Sequence, residues 1–434
     1  MMPPKSIHIT NYYHPSSGGI SRAYDKLLEA ADRHRRYVRL IVPGRESSVQ
    51  EVGEYGRIYF VEAAHAPVFD KRYRLLLPWK AYTPKDSPIR AILRDEQPDI
   101  VEIGEKYSLS LLAGLIRRGS ISVFEKRPML VQATCERMDD NIRSFVSERG
   151  VFQWFARGYM SSYVVPMYDF HLANSDYTAE EILRANTRFA ALSKMWRSPK
   201  VDLAERVFVN QRGVNKELFS ASRRSPERRA IIRDKYELPE NSLILLYAGR
   251  VSPEKNVMLL PEMMQQLSKN SEMDIRLLIA GAGPSLDPLI EESGKVATGK
   301  VISIGHVSDR QELADLYANC DAFVHPNPRE PFGQAPMEAM ASGLAVVGPD
   351  SGGILSYADD SNAWLATATP EAFADSILAM LSDLTDRKRR VERALKTAQG
   401  YSWEASTANM FSIYDEMYAR FTSDRSLFDY LKGG

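Results

Sequence analysis

Short apolar segments alternate with amphipathic stretches along the whole chain. In the first half, strands are predicted at SIHIT, VRLIVPG, PDIVEIG, PMLVQAT and DFHLANS, with a helix predicted over 22–32. In the second half, the same pattern returns at LILLYAG, IRLLIAGAG, VISIGHV, DAFVHPN and AVVGPD. Apolar strands separated by helices are typical of a parallel sheet with both faces covered. The pattern therefore predicts an α/β protein with two such series in tandem.

A charged, proline-containing stretch separates the two series. It covers 222–241, and a chain of 434 residues is too long for one compact core. We therefore place a domain boundary within 211–225. Ligands of open parallel sheets bind at the carboxyl ends of the strands, so the loops that follow the strands are the expected site.

Charge and cysteine content exclude several classes of function. Lys and Arg number 56, as do Asp and Glu, so no global basic field favours nucleic acid. The two cysteines, Cys135 and Cys320, are too few for a disulfide framework or a metal cluster, and they suit a reducing compartment. The N-terminus lacks the apolar core of a signal peptide, and no apolar run is long enough to span a membrane. We expect a cytoplasmic protein.

Two carboxylates flank a turn and a short helix in HPNPREPFGQAPMEAMASGLAVVGPDSGG, which begins at His325. Glu330 precedes a turn at 331–333, and a helix is predicted over 335–341, with Glu338 about two turns inside it. The first amides of a helix have no intrahelical partner and lie at its positive end, so an anion is expected at 332–334 while the carboxylates accept hydroxyls. The pattern fits a ligand that carries phosphates and sugar hydroxyls.

Two cations follow the strand LILLYAG. In RVSPEKN, Ser252 is a predicted N-cap and Pro253 suits the first helical position, so Arg250 and Lys255 are expected to flank one helix N-terminus. Two fixed cations there suit a diphosphate leaving group, whose negative charge grows during transfer.

Together, EPFG, AMASGLAVV and AGRVSPEKN resemble the donor-site signature of retaining nucleotide-sugar glycosyltransferases with two facing Rossmann-like domains, the GT-B fold of family 4. The resemblance implies an acceptor-binding domain at 1–212, a donor-binding domain at 213–400, and helices at 401–434, one of which crosses back to the first domain. It also implies an α-linkage formed with retention.

The resemblance assigns roles to residues of the motifs. It implies that Glu330 orients the sugar and stabilises positive charge at the anomeric carbon, that Glu338 holds the ribose, and that Arg250 and Lys255 bind the diphosphate. The further donor contacts that it implies are Gly18, Gly19, Gly249, Val307, Pro331, Phe332, Gly333 and Gln334.

On the acceptor or sugar side, the resemblance implies Glu105, Cys135 and Arg137. Cys135 stands where many family members have a histidine, and the alternative is that it is an inert buried thiol. We expect no metal and no cofactor beyond the nucleotide sugar, because the chain has no Asp-x-Asp pair and the two cations replace that need. The glycines at 281 and 283 lack the third glycine of a dinucleotide-binding loop.

Several choices stay open. The donor is a UDP- or GDP-sugar such as glucose, GlcNAc or mannose, and the acceptor is a glycan, a lipid-linked molecule or a small molecule. Alternatives are an epimerase or phosphorylase of the same fold, and a non-catalytic binding subunit. Two stretches that combine basic and aromatic residues, 71–80 and 188–200, are candidates for peripheral contact with a membrane.

Overall fold

The computed structural model describes residues 3–14, 18–66, 73–147, 149–185, 203 and 205–428. The chain divides into two units. The first unit comprises Met1–Arg143, Ser147–Gln211 and Glu404–Gly434, and the second comprises Ser144–Val146 and Arg212–Trp403. The stretch 188–200 lies outside the described residues, as do the first two residues of 71–80.

The first unit contains an eight-stranded sheet and a separate two-stranded ribbon, β5 with β6. The strand order in the large sheet is β10-β9-β8-β7-β1-β2-β4-β3. All of its neighbours pair in parallel except β3 and β4. The strands are β1 Ser6–Ile9, β2 Val38–Gly44, β3 Ser48–Val52, β4 Gly56–Glu62, β5 Ala64–His65, β6 Arg74–Leu75, β7 Ile100–Ile103, β8 Met129–Thr134, β9 Phe170–Ala173 and β10 Val207–Val209.

The helices of the first unit follow its strands. They are α1 Gly19–His34, α2 Pro78–Ala81, α3 Pro88–Glu96, α4 Ser110–Arg117, α5 Met138–Phe145, α6 Gly150–Tyr159, α7 Val165–Met167 and α8 Asp176–Ala185, with a π-helical turn at Met160–Val164. Strands β1, β7 and β8 are buried along their whole length, as expected for central parallel strands covered on both faces.

The second unit contains a six-stranded, wholly parallel sheet in the order β13-β12-β11-β14-β15-β16. Its strands are β11 Leu243–Ala248, β12 Ile275–Ala280, β13 Val301–Gly305, β14 Ala322–Val324, β15 Ala345–Pro349 and β16 Trp364–Ala366. Its helices are α9 Pro226–Lys235, α10 Leu259–Asn270, α11 Leu286–Val296, α12 Arg310–Asn319, α13 Gln334–Ala341, α14 Pro370–Ser382 and α15 Leu384–Gln399.

The last helix, α16 Trp403–Ser423, belongs almost entirely to the first unit. Its side chains Phe411, Tyr414 and Phe421 pack in one core cluster with strand residues such as Ile100. The Tyr414 hydroxyl donates a hydrogen bond to Glu102 on β7, a buried carboxylate that also contacts His8 on β1. The expectation that a C-terminal helix packs on the first domain's sheet is confirmed.

The predicted α/β architecture is confirmed, although strands β4, β10 and β16 and the β5–β6 ribbon were not predicted. The antiparallel edge strand β3 was not predicted, because its residues are mostly exposed and carry no apolar run. Cys320 is buried in the second unit's core, as a small apolar side chain would be. Among the described residues, no helix is both long and apolar enough to cross a bilayer.

Candidate functional site

Two neighbouring strands of the second sheet bring the two predicted motifs together. Strands β11 and β14 are hydrogen-bonded neighbours in the sheet, with Leu245 opposite Ala322. Because parallel strands end at the same edge, the loops that follow them, 249–256 and 325–333, lie side by side. The Asn256 side-chain amide donates a hydrogen bond of 3.0 Å to the Pro326 carbonyl and joins the two loops.

The predicted helix N-terminus at Lys255 is wrong. Pro253–Lys255 forms a single 3-10 turn that Asn256 ends with φ 54°, and α10 begins only at Leu259. The Ser252 hydroxyl donates to the Glu254 carboxylate and does not cap a helix. Lys255 therefore lies in a loop that packs against the loop after the neighbouring strand. Contacts between these two loops determine which groups its ammonium can reach.

Lys255 and Glu330 form an ion pair at this edge. Lys255 Nζ donates to Glu330 Oε2 at 2.7 Å, and Asn327 Nδ2 donates to the same oxygen at 3.0 Å. Burial alone would raise the pKa of the Glu330 carboxyl, but the charge of Lys255 and these hydrogen bonds outweigh it and lower that pKa to about 2. Glu330 is therefore ionised at neutral pH and cannot serve there as a proton donor.

His325 borders the same carboxylate. The imidazole is buried, and its Nε2 lies 4.0 Å from Glu330 Oε2 with no hydrogen-bond partner among the described residues. Burial lowers the pKa of His325 to about 4, although the charge of Glu330 acts in the opposite direction. An uncharged imidazole therefore lies beside the Glu330 carboxylate.

A glycine pair fixes the backbone that carries Glu330. The Gly353 N–H donates to the Glu330 carbonyl at 2.7 Å, and a Cβ on Gly353 would lie 2.0 Å from the Pro331 carbonyl oxygen. Gly352 has φ 85°, where glycine is favoured. The motif SGG after β15 was the available signal for this support, but sequence reasoning assigned it no role.

The turn at 331–333 leads directly into α13. Gly333 has φ 89° and precedes the first helical residue, and its carbonyl accepts a hydrogen bond of 2.6 Å from the Tyr357 hydroxyl. Phe332 is buried against the ring of Tyr357, so only its backbone is available to a ligand. The Gln334 side chain donates to the Gly213 carbonyl at 2.9 Å, which engages its amide nitrogen within the protein.

Glu338 lies just over one turn inside α13, closer to the start of the helix than predicted. It is buried, and its Oε1 lies 3.9 Å from Nη2 of Arg310 at the start of α12. The Arg310 guanidinium also lies over the Phe219 ring, 5.3 Å from its centroid. Sequence reasoning missed Arg310. Val307, three residues earlier, is partly buried against the core.

The loop of Arg250 is tightly packed. The Tyr247 hydroxyl donates to the Arg250 carbonyl at 2.6 Å, and the guanidinium lies 3.8 Å from Glu254. Gly249 approaches Gly281 so closely that a Cβ on Gly281 would lie 1.9 Å from the Gly249 carbonyl oxygen. The glycine loop after β12 therefore permits contact between two backbones, consistent with rejecting a dinucleotide-binding loop.

In the first unit, the glycine loop leads into α1. Gly18 has φ 50° and directly precedes the helix, of which Gly19 is the first residue. Residues 15–17 of the same loop lie outside the described residues.

Glu105 and Arg137 have local partners. Glu105 is buried and accepts hydrogen bonds from the Tyr107 N–H at 3.1 Å and the Ser108 hydroxyl at 3.0 Å, and burial raises its pKa to about 7. Arg137 holds Asp139 with two hydrogen bonds of 3.0 and 2.9 Å. Both side chains organise the loops that carry them.

Cys135 directly follows β8 and is half-buried. The neighbouring Glu136 accepts a hydrogen bond of 2.6 Å from the Tyr12 hydroxyl, which joins the ends of β8 and β1. Cys135 therefore lies at the carboxyl edge of the sheet.

Within the part of the chain that the structure describes, no three His, Cys, Asp or Glu side chains are grouped as metal ligands.

Comparisons with known proteins agree with the motifs. Residues 228–397 match the family model described as glycosyl transferases group 1. A GDP-mannose-dependent alpha-(1-6)-phosphatidylinositol dimannoside mannosyltransferase of Mycobacterium tuberculosis is 25% identical over 412 residues, which cover 95% of this chain and 96% of that protein. A GDP-mannose-dependent alpha-mannosyltransferase of Corynebacterium glutamicum is 24% identical over 93% of this chain and 87% of its own length.

The fold comparison covers both units. Sucrose-phosphate synthase from Thermosynechococcus elongatus matches 96% of this chain and 100% of its own, with a TM-score of 0.71 and 18% sequence identity. The predicted GT-B fold is confirmed, and the family model and the named relatives support the prediction of a nucleotide-sugar-dependent hexosyltransferase.

We predict that Gly353→Ala disrupts the site. An added Cβ would meet the Pro331 carbonyl at 2.0 Å, so the loop that carries Glu330 must move. Gly294→Ala is the control, because a Cβ there meets nothing within 4 Å and alanine favours the helix. Melting temperature and donor-sugar turnover should both fall for Gly353→Ala only. Unchanged turnover in Gly353→Ala would show that the loop position is not required.

A second prediction concerns acid stability. The pKa of His325 is about 4 in the folded protein and near 6.5 when unfolded, so the unfolded state binds more protons between these values. The stabilisation is present above pH 6.5 and is lost as pH falls towards 4, by about 3 kcal/mol at most. His325→Gln should reduce the change in urea midpoint over this range. The control variant His306→Gln, at an exposed position, should leave the change in urea midpoint as it is in the wild type. Equal changes in both variants would contradict the neutral buried imidazole.

Proposed function

We propose that this chain belongs to the glycosyl transferases group 1 family and transfers mannose from GDP-mannose to a hydroxyl of a glycan or lipid-linked acceptor, with retention at the anomeric carbon. The observation that carries the proposal is the ionised Glu330 paired with Lys255 at the carboxyl edge of the second sheet. The choice of GDP-mannose rests on the two relatives, which are named for this donor and align along nearly the whole chain.

The proposed roles follow from charge and position. A sugar that loses its leaving group develops positive charge at the anomeric carbon, and a carboxylate fixed in its ionised form stabilises that charge. Glu330 has this property because Lys255 and Asn327 hold it as an anion. Glu338, a buried residue of α13 near Arg310, is proposed to accept hydrogen bonds from the ribose.

Lys255 is proposed to contact two groups, the Glu330 carboxylate on the sugar side of the bond that breaks and the diphosphate on the other side. The ammonium group of Lys255 forms an ion pair with Glu330. An ammonium group has three donors, so Lys255 can keep this carboxylate and also bind a diphosphate oxygen. Arg250 and the free amides at 333–334 supply further positive charge for the departing diphosphate. We propose on this basis that transfer needs no metal.

For the first unit we propose a more limited role. Gly18 and Gly19 offer backbone at the start of α1 to the diphosphate or acceptor. Cys135 is proposed to line the sugar side of the site, because it is half-buried at the end of β8. Glu105 and Arg137 are proposed to position the loops beside it, since their polar atoms are engaged locally.

The proposed donor is tested by ligand stabilisation and by product analysis. GDP-mannose and GDP should raise the melting temperature more than UDP-glucose or UDP-GlcNAc, since a ligand at a hundred times its Kd stabilises by about 2.7 kcal/mol. With a mannosylated acceptor, NMR of the product should show an α-linkage, and activity should persist in EDTA. A β-linked product would refute retention. Donor converted to another sugar without acceptor would indicate an epimerase, and donor binding without any turnover a binding subunit.

We predict different kinetic effects for the two carboxylates. Glu330→Gln should lower kcat by roughly a hundredfold with little change in KM, because the charge matters most in the transition state. Glu338→Ala should mainly raise KM and weaken GDP binding, because ribose contacts are alike before and during reaction. Lys255→Ala should lower kcat, whereas the exposed Lys269→Ala is the matched control. The reverse pattern for the two glutamates would mean that their roles are exchanged.

A further inference from the structure

Helix α6 in the first unit exposes its apolar residues and buries its smaller and more polar ones. The stripe spaced i, i+3, i+7 that faces the protein is Gln153, Ala156 and Met160. On the opposite side, bulky apolar side chains are exposed, namely Val151 by 53%, Phe152 by 41%, Trp154 by 47% and Phe155 by 61%. A helix that faces water shows the reverse arrangement.

The aromatic side chains form a cluster on a firmly held helix. The rings of Trp154 and Phe155 are in contact, with centroids 5.1 Å apart in an edge-to-face arrangement. The chain continues from α6 into the π-helical turn, where Met160 and Val164 are buried in the core. The cluster therefore lies on a helix whose C-terminal end is anchored in the core. Contiguous exposed apolar surface of this kind marks an interaction site.

Positive charge brackets the cluster. Arg149 precedes the first turn of α6 and Arg157 lies in the last, and both are exposed. The helix GVFQWFARGY contains no acidic residue. The whole chain has a formal net charge of zero, so attraction to an anionic surface must come from local charge.

We propose that the exposed face of α6, Val151 to Phe155 with Arg149 and Arg157, docks the enzyme on an anionic phospholipid surface. Tryptophan and phenylalanine insert at the boundary between headgroups and acyl chains, while arginines contact lipid phosphates. This surface lies outside the donor site and was not among the segments that the sequence suggested for membrane contact. The inference extends the proposed function, on which it rests only for the idea of a lipid-linked acceptor.

Charge favours a lipid surface over a second copy of the chain. In a two-fold symmetric contact through α6, antiparallel helices would bring Arg149 towards Arg157 of the other copy, and parallel helices would bring each arginine towards its own counterpart. No acidic side chain on α6 would compensate this repulsion. An anionic bilayer satisfies both arginines and the aromatic rings at once.

The experiment measures binding of the full chain to vesicles, without donor or acceptor. Vesicles of phosphatidylcholine with about one third phosphatidylglycerol are compared with pure phosphatidylcholine by co-sedimentation. Wild-type protein should bind the anionic vesicles, and less at high salt. The triple variant Phe152→Ser, Trp154→Ser, Phe155→Ser should bind at least about tenfold more weakly, because the apolar contribution is lost.

Matched variants separate the surface from general hydrophobicity and from folding. Ile231→Ser with Leu384→Ser removes two side chains in the second unit that are 63% and 70% exposed, and it should bind vesicles as wild type does. Arg149→Glu with Arg157→Glu should lose the preference for anionic vesicles. All variants should keep the wild-type melting temperature and GDP binding, so failure of docking is distinct from failure of the proposed transfer.

Lipid contact can be read directly at Trp154. Brominated lipids should quench the wild-type fluorescence, and Trp154→Phe should lose most of that quenching while binding is kept. Three outcomes would overturn the proposal. These are no vesicle binding by wild type, equal binding by the triple variant, and self-association in sedimentation velocity that the triple variant abolishes, which would identify a second copy as the occupant.

Discussion

The pairing of β11 with β14 in a parallel sheet is the constraint on which the candidate site depends. Each strand is followed by one of the two motifs, and parallel neighbours end at one edge. The loop of Lys255 therefore meets the loop of Glu330 although 75 residues separate them in sequence. The hydrogen bond from Asn256 to the Pro326 carbonyl fixes the distance between the loops.

The opposition between burial and charge sets the chemistry at that edge. Burial acts against the ionised form of Glu330 and against the ionised form of His325. For Glu330, a lysine at 2.7 Å reverses the effect, whereas for His325 the more distant charge of Glu330, at 4.0 Å, does not outweigh burial and the imidazole stays neutral. One buried environment thus yields a fixed negative charge beside an uncharged imidazole, which suits stabilisation of a cationic sugar better than proton transfer.

The two units use their polar residues differently. In the second unit, charged and glycine residues converge on one edge of the sheet. In the first, Glu105 after β7 accepts hydrogen bonds from its own loop, and Arg137 after β8 donates to Asp139 on α5 and to Glu180 on α8. The first unit instead presents an unusual surface on α6.

The sequence by itself determined most strands of both sheets, though not β3, β4, β10 and β16, and it determined the presence of Glu330 and Glu338 around a helix start, because these follow from local apolar runs, turn residues and motif spacing. Tertiary structure alone decided that Lys255 lies in a loop paired with Glu330, that Gly353 supports the Glu330 backbone and that Arg310 lies near Glu338. It also decided that α6 turns its aromatic residues outward, since periodicity reveals two faces of a helix but not which face another element covers.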